Sequence, residues 1–160
     1  FMGPAEAITP KGFRTVIELN VQGTWLMTHA AATKAFIPQG GGKVLSVTLS
    51  PHNGMPGMVH SGAARAAVEN MMRTLAIEWS RRGVLVNAIA PGVFPTPLNA
   101  QLLDGTERGR EFKVRTPMGR FGKTEELVGA AVYLASDAAS YTAGEVLVVD
   151  GGFLASGVNQ

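Results

Sequence analysis

Ser61 and Arg65 lie four residues apart in a helical stretch, so their side chains share one face. A serine hydroxyl cannot be tuned into a proton donor at neutral pH, and a guanidinium keeps its charge at any useful pH. The pair can hydrogen-bond a sugar hydroxyl or steady an anion, but it is a poor general acid. Reduction of an activated carbon–carbon double bond makes a matching demand. Hydride reaches an electrophilic carbon, charge collects on a carbonyl oxygen, and aimed donors stabilise it. The carbon then takes its proton from water or an imidazole. His60 and His52 are the candidate imidazoles, because the group titrates near working pH; a structural role at a helix start competes with that reading. Thr48 and Ser50 carry hydroxyls at a strand end, suited to a substrate oxygen or to a turn. His29, on a helix among alanines, reads as packing or interface. Three histidines without a carboxylate at ligand spacing, and no cysteine at all, give no reason to expect a metal site.

The elements that must position these groups follow from spacing and punctuation. Thr9-Pro10 is a helix start, a capping hydroxyl followed by proline in the first turn. Phe13, Val16, Ile17, Asn20, Thr24 and Met27 then recur at helical spacing to about Phe36, before Pro38. Gly40-Gly41-Gly42 turns into a strand over Lys43–Leu49. A second helix runs from about Val59 to Ser80 and ends in Arg81-Arg82-Gly83, a basic last turn with glycine beyond it. Val84–Ile89 is a second strand, stopped by Pro91-Gly92. Residues 93–123 are irregular with two short helices, a third helix opens at Glu125-Glu126 after Thr124, and Glu145–Val149 is a third strand. Strands alternating with long helices predict an α/β fold with a parallel sheet and flanking helices. The near-continuous apolar strands predict a sheet covered on both faces. No internal repeat or linker divides residues 1–160, which read as one unit.

The chain has 160 residues, 46% of them apolar and 16% charged, enough to bury a core. A net charge of +2, with no basic arm interleaved with aromatics, gives no reason to expect a nucleic-acid partner. No apolar run of the length a spanning helix needs and no signal-peptide pattern is present, so no membrane partner and a cytoplasmic location are expected. The sequence opens on Phe1 and reads like a fragment.

Several segments resemble the C-terminal half of a short-chain dehydrogenase/reductase, an incomplete Rossmann-type fold. They are Glu18-Leu19-Asn20-Val21-Gln22-Gly23-Thr24, Ser61–Val68, Val86–Gly92, Arg120–Glu126 and Val149-Asp150-Gly151-Gly152. The opening Phe1–Glu6 and the run Val59–Ala66 are similar to 2,4-dienoyl-CoA and trans-2-enoyl-CoA reductases, whereas the tail from Thr96-Pro97-Leu98 is similar to gluconate 5-dehydrogenases. The glycine-rich phosphate loop of the superfamily has no counterpart here, since Gly40–Gly42 leads into a strand and offers no helix N-terminus to a pyrophosphate. The positions of the usual Tyr-x-x-x-Lys hold Ser61 and Arg65.

The resemblance implies an NAD or NADP coenzyme. Arg65 would lie at the nicotinamide ribose, and Pro91-Gly92-Val93 with the Thr96 hydroxyl at the nicotinamide carboxamide. Asn20 corresponds to the helix asparagine that holds a water in the family's proton relay, and Thr48 and Ser50 flank the place of its catalytic serine. The implied substrate is a small molecule: an enoyl- or dienoyl-thioester, or alternatively a sugar acid or alcohol. A catalytically silent fragment or assembly module is the third reading. Arg108, Arg110, Lys113, Arg115, Arg120 and Lys123 form a basic run against Glu111 that suits coenzyme A phosphates or an acidic sugar, or else a solvated face. Ala63, Ala64, Ala66 and Ala67 resemble the family's helical dimer interface, so a homo-oligomer, dimer or tetramer, is expected.

Overall fold

The computed structural model describes residues 1–50 and 54–156. Thr9 caps the first helix as its spacing predicts: its hydroxyl accepts the Gly12 N–H at 3.1 Å, and Pro10 fills the first position. Helix α1 (Pro10–Ile17) passes through a π-helical turn, Glu18–Gln22, into α2 (Gly23–Ala31), and a second π-helical turn spans Ala32–Phe36. The remaining elements are β1 (Gly42–Val47), α3 (Val59–Trp79), β2 (Val84–Pro91), α4 (Ala100–Leu103), α5 (Glu107–Arg115), α6 (Val128–Ala135) and β3 (Val146–Val149).

The three strands form one parallel sheet in the order β1-β2-β3, with Val47 opposite Ile89 and Pro91 opposite Val149. The first strand is shorter than its sequence predicts because regular pairing stops at Val47. Its backbone contact with β2 continues irregularly, Thr48 N–H donating to the Ile89 carbonyl and Ser50 N–H to that of Pro91, both at 2.8 Å. Gly83, between α3 and β2, has φ +76°, and its Cα faces the Gly40 carbonyl too closely for a side chain.

Alternation along β2 separates two apolar layers. On one face Val84, Val86 and Ala88 pack with Val68, Met72, Leu75, Ala76 and Trp79 of α3 and with Ala32. On the other, Ile89 packs with Leu134 and Ala139, and Leu45, Leu147 and Val149 complete the layer. Asn87 is the polar exception in β2: its amide donates to the Thr142 carbonyl at 2.9 Å and accepts the Glu145 N–H at 3.0 Å. Both bonds are needed to keep a side chain with 2% exposure from burying unpaired polar atoms. They suture the loop before β3 to the middle strand. Of the four alanines between Ser61 and Val68 on α3, Ala64 is buried in the fold, while Ala63, Ala66 and Ala67 are exposed.

Candidate active site

Parallel strands bring their carboxyl ends together, and the crevice beyond those ends is where open α/β sheets take their ligands. Three features meet there. Arg65, half-buried on α3, donates from Nη1 to the Val47 carbonyl at 2.9 Å, which pins the guanidinium to the end of β1. Burial pulls its pKa below the ordinary guanidinium value, and the group stays charged. An open cleft of about 670 Å³ runs along α3, lined by Leu49, Met55, Met58, Val59, Ala63 and Ala66, with Arg65, Glu69 and Arg115 as its charged groups. On the side of β1 away from β2, a trough of about 440 Å³ runs between that strand and Leu19, Gly23, Thr24 and Met27, and Arg65 borders it as well. Arg65 thus faces both spaces.

Ser61 lies one turn before Arg65. Its N–H donates to His60 Nδ1 at 2.8 Å, and its hydroxyl has no partner among the described residues. Asn20 sits in the first π-helical turn, which packs on α3. Its amide donates to the Val16 carbonyl at 2.9 Å, so one donor is committed within its own helix. Such single-turn widenings recur at functional sites.

The second strand ends in Pro91-Gly92-Val93. Gly92 N–H donates to Val149 at 2.9 Å, and a Cβ on Gly92 would stand 2.7 Å from that of Asp150, so only glycine fits. Val93 gives its carbonyl to Gly122 N–H at 3.0 Å, while its own N–H has no partner among the described residues. Thr96 is exposed, its N–H held by Asn99 Oδ1 at 2.7 Å and its hydroxyl likewise without a described partner. A free amide and a free hydroxyl three residues apart, at a strand's carboxyl end, suit the carboxamide of a nicotinamide.

Three sequence expectations find different geometry. Thr48 is 6% exposed, with its hydroxyl 3.4 Å from the Ile89 carbonyl. Ser50 is fully buried and donates to Asp150 Oδ2 at 2.5 Å. Neither hydroxyl lines the cleft; Leu49 between them does, because alternation along the chain turns it the other way. His60 is 1% exposed beneath the Phe1 ring, at 4.5 Å between centroids, and does not line the cleft either; its Nε2 has no hydrogen-bond partner among the described residues. Its Nδ1 acts as an acceptor for α3, the structural role at a helix start. His52 lies outside the described residues. His29 is exposed and stacks on Trp25 at 5.0 Å.

The basic run is largely committed. Arg110 pairs with Glu107, Arg115 with Glu111, and Arg120 grips Glu126 through two bonds of 2.8 and 2.7 Å. Arg108 donates to the Pro56 carbonyl at 3.3 Å, and Lys113 lies 4.7 Å from the centre of the Phe121 ring. The hydrogen bonds from Arg120 and from Lys123 N–H draw the Glu126 pKa down to about 2. Asp150 and Leu49 carry no site expectation from the sequence, whereas Arg115 on the cleft wall comes from the basic run. Only the Val149-Asp150-Gly151-Gly152 motif pointed toward Asp150.

Comparison with known proteins gives this geometry its family. The family described as enoyl-(acyl carrier protein) reductase matches residues 1–154. The chain belongs to that family, within the short-chain dehydrogenases/reductases. Over 154 residues the chain is 36% identical to gluconate 5-dehydrogenase of Gluconobacter oxydans, covering 96% of the chain and 60% of that protein. Over 154 residues it is 38% identical to peroxisomal 2,4-dienoyl-CoA reductase of Rattus norvegicus, covering 95% of the chain and 52% of that protein. Among solved structures, a gluconate 5-dehydrogenase from Burkholderia cenocepacia in complex with NADP and tartrate superimposes with a TM-score of 0.93 at 31% identity. That match covers 98% of this chain and 61% of the other. The chain therefore spans about 52–61% of the length of these relatives.

Proposed function

We propose that the protein carrying this chain is an NAD(P)H-dependent oxidoreductase that reduces the activated carbon–carbon double bond of an enoyl- or dienoyl-thioester. The observation that carries this reading is the permanently charged Arg65 on the wall of a mostly apolar cleft, held in place by the Val47 carbonyl. The coenzyme, when bound, supplies hydride. Val93 N–H and the Thr96 hydroxyl would hold its carboxamide, and Arg65, with Ser61 one turn before it and Asn20 on the π-helical turn that packs on α3, would hold the ribose side. Leu49, Met55 and Met58 offer apolar wall to an acyl chain, and Met side chains adapt to varied shapes.

The chemical division of labour follows from the residue types. As the conjugated system accepts hydride, charge moves to the thioester oxygen. The remaining guanidinium donors of Arg65 and the Ser61 hydroxyl steady that enolate. Its α-carbon takes a proton from water, so one double bond is lost, one hydride and one proton are gained, and the thioester oxygen ends unprotonated. No proton need come from a side chain, which removes the demand that serine and arginine meet badly.

The alternative is a sugar-acid dehydrogenase, favoured by the likeness to the gluconate 5-dehydrogenases. The cleft wall supports the acyl reading over it, since a polyhydroxylated substrate would leave its hydroxyls facing Leu49, Met55, Met58 and Val59. Residues 1–160 are proposed to act as one unit of the reductase, in a cytoplasmic homo-oligomer. Rates of NAD(P)H oxidation by the full-length protein on a 2,4-dienoyl thioester and on 5-ketogluconate decide between the two substrates. The proposal expects the thioester to be preferred, and preference for the keto sugar would overturn it.

A further inference from the structure

The carboxylate of Asp150 sits where the ends of all three strands meet. Its Oδ2 accepts the Ser50 hydroxyl at 2.5 Å and the Leu154 N–H at 2.8 Å, and its Oδ1 accepts the Gly152 N–H at 2.9 Å. Ser50 follows β1, and its own N–H is bound to Pro91 of β2. Gly92 then passes so close to Asp150 that no side chain could stand between them. Asp150 and Val93 also border one small pocket of about 130 Å³. One ionised group thus fastens β1 through a side chain, β3 through its own backbone and the following turn, and β2 through close packing. Three donors converge on it, and a carboxylate is the side chain that can accept them all.

We infer that Asp150, acting through Ser50 and Gly92, is a positioning residue that fixes the Pro91-Gly92-Val93 bend in the conformation that presents the Val93 amide to the coenzyme. The inference rests on the coenzyme reading of that bend given above. Ser50 is thereby a link in a positioning chain, and its hydroxyl proton is spent on Asp150. An asparagine at position 150 would place an NH2 group against at least one of the three donors. An alanine at position 50 would remove only the tie to β1, which makes it the milder probe.

Hydrogen exchange on the coenzyme-free full-length protein tests this without relying on turnover, alongside NADPH and NADH affinity measured by nicotinamide fluorescence. In Ser50→Ala and Asp150→Asn the Gly92 amide, which donates to the Val149 carbonyl, should exchange about tenfold faster while those of residues 84–88 keep their wild-type rates, and the coenzyme Kd should rise about tenfold. Met72→Ala serves as the purely structural control, expected to speed both segments together. If Ser50→Ala leaves the Gly92 amide and Kd unchanged, or speeds Gly92 and residues 84–88 equally as the control does, the inference is overturned. A wild-type protein that binds neither coenzyme overturns the coenzyme reading and this inference with it. Normal wild-type binding with unchanged variants removes the inference alone.

Discussion

Arginine in place of a titrating amine changes what a site can be asked to do. The Arg65 guanidinium carries its charge throughout the working range, and its tether to Val47 fixes where that charge sits. Removing the charge while keeping the bulk, as in Arg65→Met, should lower kcat/KM on a dienoyl thioester by about 100-fold, the usual cost of losing one oxyanion donor. Steady-state kinetics on the full-length protein, at a temperature where the variant is folded, measures this. A loss under about threefold would mean that Arg65 does not face the developing charge. Ser50 gives the opposite lesson at the same scale. It has the residue type and the strand-end location of a substrate ligand, yet its proton goes to a residue 100 positions away.

At the level of elements, α3 joins chemistry to stability. One face carries Ser61 and Arg65, and another buries Met72, Leu75 and Trp79 against β2. Met72→Ala should therefore cost about 2–5 kcal/mol of unfolding free energy, read by denaturant titration. The Arg120–Glu126 clamp before α6 predicts an acid response of definite sign. The Glu126 pKa falls from 4.5 to about 2 on folding, so its contribution is complete above pH 4.5 and is lost as pH falls toward 2. Glu126→Gln should remove that component, so the difference in Tm between wild type and variant narrows between those pH values; an unchanged difference would contradict it. Boundaries such as Thr9-Pro10, Gly83 and Pro91-Gly92 were legible because each acts through its immediate neighbours. The two π-helical turns, the Asn87 suture and the Arg65–Val47 bond were not, since periodicity does not encode a widened turn and spacing along one chain does not encode which distant carbonyl a side chain reaches. The parallel sheet could be read from the alternation of strands and helices, while the burial of Thr48 and Ser50 beside an outward Leu49 could not.

The whole molecule is a three-layer arrangement whose strand ends, open cleft and charged arginine face the same region. Among the described residues β1 pairs on one side only, and the trough along its other side is flanked by the exposed Leu19, Met27 and Val47. The relatives, longer than this chain, act on two kinds of substrate by their names, a dienoyl thioester and a sugar acid, so shared fold alone does not select the bond that is reduced. A 4-oxo-2-enoyl thioester offers both bonds on one acyl chain. Incubated with the full-length protein and reduced coenzyme, it should yield the saturated 4-oxoacyl thioester, because Arg65 and Ser61 can steady an enolate oxygen but do not protonate an alkoxide. Formation of the 4-hydroxy-2-enoyl thioester as the main product would contradict the account.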